Sequence, residues 1–96
     1  MNWNYNTGIL KANGSQIKLP TRQADVFEYL ATKEGNKATT GEIFGAIYGN
    51  AADTYPQKRI IKVHARRLAK RLESVMLNLE VIRRGCHDGI YCLKLS

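Results

Sequence analysis

Between Lys58 and Leu72 the run KRIIKVHARRLAKRL repeats its apolar positions at helical spacing. At about 100° per residue, Ala65, Leu68 and Leu72 fall within about 40° of Ile61 and make one stripe. Arg59, Arg66 and Lys70 lie at about 140° to 180° from Ile61, and Val63 and Arg67 at about 200° to 240°. The pattern predicts a helix over 57–76 with a core-packing ridge on one side and guanidinium groups on the other. Upstream, Thr7 to Lys11 and Gln16 to Leu19 read as two short strands around Asn13-Gly14, a dipeptide that favours a tight hairpin turn, giving a β-hairpin over 7–19. A helix over 21–33 follows, with Thr21 as its expected N-cap and Ala24, Val26, Phe27 and Leu30 as its apolar face, ended by Gly35-Asn36.

Thr39 stands three residues before Glu42, the spacing of a capping box, and predicts a helix over 40–48 that carries Ile43, Phe44 and Ile47 and stops near Gly49. A loop from Asn50 to Pro56 leads to the basic helix. A second hairpin is expected over 79–95, from Leu79 to Arg84 and from Ile90 to Leu95, with Cys86, His87 and Asp88 at its tip. Strict alternation puts Ile90, Cys92 and Lys94 on one face and Tyr91, Leu93 and Leu95 on the other, and separates Arg83 from Arg84. Only two strands are visible ahead of the first helix, with Trp3 and Tyr5 expected to cover the open edge of that small sheet.

Charge changes the picture. Net charge is +7 over 96 residues, and seven of the fifteen lysines and arginines fall in the 58–72 run, which holds no acid. Asp25, Glu28, Glu34 and Glu42 sit in the first half, so the chain is polarised along its length. Clustered positive charge implies an anionic partner, nucleic acid before membrane surface. A helix anchored along one face and basic along the other meets what insertion into a DNA major groove requires.

No stretch approaches the roughly 20 apolar residues that span a bilayer, and the start MNWNYNTG has no apolar signal core, so a cytoplasmic, nucleoid-associated protein is expected. Two cysteines are too few for a disulfide scaffold. One turn carrying Cys86, His87 and Asp88 closes neither a tetrahedral metal site nor a nucleophile–base–orienter triad. With no carboxylate pair and no phosphate-binding glycine loop in view, neither enzyme activity, a metal nor a cofactor is expected.

Strand, strand, helix, helix, helix, hairpin is the order of an α+β winged helix-turn-helix, here one domain over 1–96. The segment from Leu19 to Leu93 resembles the DNA-binding domain of the OmpR/PhoB class of bacterial response regulators. LPTRQADVFEYL resembles that family's LTxxEFxLLxxL opening helix, EIFGAIYG its ELxxxVWG second helix, and RIIKVHARRLAKRL its RTVDVHIxRLRKKL recognition helix. Arg84-Gly85 and Tyr91-Cys92-Leu93 resemble its RGxGYxL wing.

The resemblance implies that Ile61, Ala65 and Leu68 pack the third helix on the core, while Arg59, Lys62, Val63, Arg66 and Arg67 face the major groove or its phosphates. His64 and Lys70 would lie at the margin. Val63 would touch a thymine methyl, Arg67 would make a bidentate contact to guanine, and Arg84 would enter the adjacent minor groove. Lys62 stands where many members have Asp, Ala65 is smaller than the usual Ile, and the wing is longer than the family's. No segment resembles the family's phosphoacceptor receiver domain, so control is expected through concentration, a partner or neighbouring copies on DNA.

The implied partner is double-stranded DNA, bound by a monomer or a weak DNA-assisted dimer, with no membrane partner. Two other readings stay open on the sequence. One is a winged-helix interaction module docking on RNA polymerase or another regulator; the other is a non-specific architectural nucleic-acid binder. In position the Asn50 to Pro56 loop matches a segment that contacts polymerase in some family members, but its sequence is generic.

Overall fold

The computed structural model describes residues 1–49, 55–83 and 89–94, with backbone alone at 55–58 and 82–83. The chain runs β1 (Asn2–Asn4), β2 (Ile9–Ala12), β3 (Ser15–Lys18), α1 (Thr21–Thr32), a 3₁₀ turn (Glu34–Asn36), β4 (Lys37–Thr39), α2 (Thr40–Tyr48), α3 (Tyr55–Glu73), β5 (Asn78–Arg83) and β6 (Ile90–Lys94). Two antiparallel sheets, ordered β1-β2-β3 and β4-β6-β5, enclose the three helices in the α+β arrangement of a winged helix-turn-helix.

The first sheet has three strands rather than two. β1 escapes the hydrophobic pattern because NWN half-buries one side chain, Trp3, which packs edge-on against Phe27 with ring centroids 4.8 Å apart. Its Nε1–H donates to Glu28 Oε1 at 2.9 Å, so Trp3 ties the sheet to α1. The β2–β3 hairpin turns at Asn13 and Gly14, with φ of 51° and 80°, which suits a tight turn matched to the strand twist. Gly8 admits no side chain: a Cβ there would meet the Leu19 carbonyl oxygen at 2.9 Å, while the Gly8 carbonyl accepts from the Leu19 N–H at 2.7 Å.

Pro20, not Thr21, stands at the N-cap of α1 and makes no side-chain cap bond; its carbonyl accepts the first helical hydrogen bond, from Ala24, at 2.8 Å. Proline's fixed φ and missing N–H suit a helix start, which leaves Thr21 as the first helical residue. α2 opens on the expected capping box: Thr39 Oγ1 accepts from the Glu42 N–H at 3.1 Å, and Glu42 Oε1 accepts from the Thr39 N–H at 2.9 Å.

α3 begins two residues before the expected Gln57 and ends three before Met76. Its end is a Schellman motif: Leu77 N–H reaches the Leu72 carbonyl at 3.0 Å and Met76 N–H the Glu73 carbonyl at 3.1 Å, with Met76 at φ 59°. Asn13 Nδ2 donates to the Val75 carbonyl at 2.8 Å, pinning this helix end to the first hairpin. Ile61, Ala65, Leu68 and Leu72 are all at most 2% exposed, in the phase computed from the sequence, and meet Val26, Phe27 and Leu30 of α1 and Ile43 of α2 in one core.

The C-terminal hairpin gains a third strand that the sequence pattern did not show. β4 pairs with β6, Ala38 opposite Tyr91, and Gly89 exchanges hydrogen bonds of 3.0 Å with the backbone and hydroxyl of the buried Thr40. β6 is therefore central, and alternation fails along it: Tyr91, Cys92 and Leu93 are all buried. The small Cys92 side chain has Lys37 and Glu80 as its cross-strand partners, and it is buried on the face opposite Tyr91 and Leu93. A register shift between Val81 and Arg83 interrupts the two-residue period of β5. Arg84, the Cys86-His87-Asp88 tip and the first residues of the Asn50 to Pro56 loop lie outside the described residues.

Candidate nucleic-acid interface

The face of α3 turned from the core carries Arg59, Val63, Arg66, Arg67, Lys70 and Arg71, all exposed. Lys62 is half-buried. It joins Arg66 and Lys70 along the wall of a groove of about 630 Å³ between α3 and the β5–β6 hairpin, floored by Ala65, Ala69, Leu79, Val81 and Tyr91. The sequence-predicted residues Arg59, Lys62, Val63, Arg66, Arg67 and Lys70 thus share one helix, with Val63 near the pole and cations around it.

Three ion pairs form on elements other than α3. Arg22 pairs with Asp25 at 3.1 Å, Lys33 with Glu42 at 3.0 Å and Lys94 with Glu80 at 3.5 Å. Lys33 is held above its ordinary pKa by the hydrogen bond to Glu42, which in turn is held below its own by the Thr39 backbone N–H and by Lys33. Among the described residues, Arg59, Arg66, Arg67, Lys70 and Arg71 have no acidic partner.

His64 lies half-buried at the edge of this face and is not idle. Its Nε2 shares a hydrogen bond of 2.9 Å with Tyr48 Oη, and the Arg22 guanidinium lies 4.7 Å above the Tyr48 ring. Burial depresses the His64 pKa, the Arg22 and Arg67 charges depress it further, and Asp25 opposes them. A neutral imidazole therefore joins α2 to α3, with Arg22 of α1 stacked beside it. Tyr48 has a dual placement: it packs against the core and also fixes the flank of α3. Tyr5 Oη donates to Asp25 at 2.5 Å, which raises the phenol's pKa and continues the chain of contacts to the N-terminal segment.

Two contributors to this surface escaped the sequence reading. Arg22 has no periodic signal, because its role depends on where α1 meets α2. Ile60 was legible on the same helical wheel, at about 260° from Ile61 and outside the apolar stripe; it is 41% exposed. Among the described residues no group of three or more His, Cys, Asp or Glu side chains could hold a metal ion, and no helix is long and apolar enough to cross a membrane.

The chain is similar to the sensory transduction protein RegX3 of Mycobacterium tuberculosis (strain H37Rv), 30% identical over 66 residues that make 69% of this chain and 28% of that protein. RegX3 of Mycolicibacterium smegmatis is 31% identical over 68% of this chain and 28% of its own length. The flagellar transcriptional regulator FtcR of Brucella abortus (strain 2308) is 33% identical over 84 residues, 88% of this chain and 36% of that protein. The matched part is thus about a third of each relative's length. No family model matches the chain, and no solved structure matches it.

Proposed function

We propose that the chain is a sequence-specific, double-stranded DNA-binding transcription regulator of the OmpR/PhoB type, with α3 as its major-groove helix. The observation that carries this reading is the α3 face: five exposed cations without acidic partners among the described residues, set around an exposed Val63 and backed by a fully buried apolar ridge. Similarity to regulators named for sensory transduction and for flagellar transcription supports it.

In this reading Arg59, Arg66, Lys70 and Arg71 neutralise phosphates, which carries most of the affinity, while Lys62, Val63 and Arg67 read base edges. Arg84 on the wing enters the adjacent minor groove, where a narrow A·T-rich stretch concentrates negative potential. The Tyr48–His64 hydrogen bond holds the flank of α3 without adding a charge there. The domain acts as one unit over 1–96, without catalysis, in the cytoplasm at the nucleoid.

The test is selection from a random duplex pool at near-physiological salt. A recovered motif establishes base reading, and Arg67→Ala then relaxes the preference at one position and costs about 1–3 kcal/mol on the selected site. Equal weakening on selected and random DNA would remove Arg67 from the base-reading set. Retention with no motif at all would overturn the regulator reading and leave an architectural binder or a partner-docking module.

A further inference from the structure

Resting on that reading, we propose that Ile60 and Val63 together form a methyl-reading pair that selects two neighbouring thymines in the major groove, with Arg67 reading a guanine beyond them. Ile60 and Val63 are the large apolar side chains left open on the described part of α3, 41% and 37% exposed. Their i, i+3 spacing makes them surface neighbours, and Arg67 continues the same ridge at i+7 and i+4. The exposed cations Arg59, Arg66 and Arg67 surround them, so the apolar pair is carried to an anionic surface rather than to an apolar one.

The major groove offers one apolar feature among its hydrogen-bonding edges, the thymine C5-methyl group. Along the helix axis Ile60 and Val63 are about 4.5 Å apart, against about 3.4 Å between successive bases on one strand. One apolar side chain per base step is therefore in reach. Val63 to Arg67 is about 6 Å, near two base steps, which a guanidinium spans easily. An isoleucine at this place on a basic face gives the groove no hydrogen bond and no charge. Its contribution is contact with a methyl, so the pair sets specificity while the cations set affinity.

The experiment uses the duplex recovered by selection, with each thymine replaced in turn by deoxyuridine. This substitution deletes the methyl and leaves base pairing and the O4 acceptor unchanged. The expected site holds two adjacent thymines whose replacement weakens binding about fourfold each and about fifteenfold together, the scale of one buried methyl group per contact. Ile60→Ala should remove sensitivity to one of the two replacements and Val63→Ala to the other. Both positions are exposed, and an unchanged thermal melt for each variant confirms that the fold is intact. A recovered motif whose binding is indifferent to deoxyuridine, within about twofold, overturns the methyl-reading pair and leaves the regulator reading standing. A pool that yields no motif removes the regulator reading itself, and this inference with it.

Discussion

Salt dependence discriminates sharply between a basic face that grips phosphates and one that merely keeps the protein soluble. Each phosphate neutralised by a lysine or arginine releases counterions and contributes about −0.9 to the slope of log K against log salt. Only a cation free of protein acids releases them in full, which sets aside Arg22, Lys33 and Lys94 with their carboxylates. The four exposed α3 cations assigned to phosphates, Arg59, Arg66, Lys70 and Arg71, have no acidic partners among the described residues and give a slope of about −3.6. Raising salt from about 50 to 200 mM should then weaken binding about 150-fold with four contacts. Arg66→Ala should flatten the slope by about 0.9, to a loss of about 40-fold over the same range, while Lys94→Ala should leave it unchanged. The assay is fluorescence anisotropy of a labelled duplex across that range. A wild-type slope shallower than about −2, or the same slope in Arg66→Ala, would refute phosphate gripping by this face.

The capping box predicts that Thr39→Ala costs about 0.5–2 kcal/mol in a denaturant melt, because the Glu42 N–H loses its acceptor at the start of α2. The folded-state pKa of Glu42 is depressed below its ordinary 4.5, so its contribution is present above that value and lost as pH falls through the lower one; Glu42→Gln should flatten the acid limb of the stability profile, and an unaltered limb counts against it. Met76→Gly should stabilise the protein by roughly 0.5–1 kcal/mol, since Met76 occupies the left-handed position of the Schellman motif and is 77% exposed; a loss of stability would mean that its side chain makes a contact of value.

How far the sequence could be read follows from which forces are local. The phase of α3 was legible because Ile61, Ala65, Leu68 and Leu72 obey one period, and the α2 capping box because its two partners lie three residues apart. β1 and β4 were not, since three-residue strands are made by their partners: Trp3 is ordered by Phe27 and Glu28, and Ala38 by Tyr91. The central position of β6 likewise overrode its own alternation. At the candidate site, the cations and Val63 could be read from the wheel. The Arg22–Tyr48–His64 cluster could not, because it joins three helices at positions with no shared period.

The basic face also carries an energetic argument for function. Arg66–Lys70 and Arg67–Arg71 are like-charge pairs at i, i+4, each unfavourable by a few tenths of a kcal/mol, so the helix bears about 0.5–1 kcal/mol of repulsion. The opposite face offsets it: Ile61, Leu68 and Leu72 are fully buried, at about 1.5–3 kcal/mol apiece. Acids placed at i±4 would relieve the strain, yet in the described structure the paired acids serve Arg22, Lys33 and Lys94 elsewhere. A helix that keeps its repulsion while carboxylates neutralise other surfaces is organised for an external anion. Phosphates lying along the exposed side relieve that repulsion only when they are bound, which ties the stability of α3 to occupancy of its basic face.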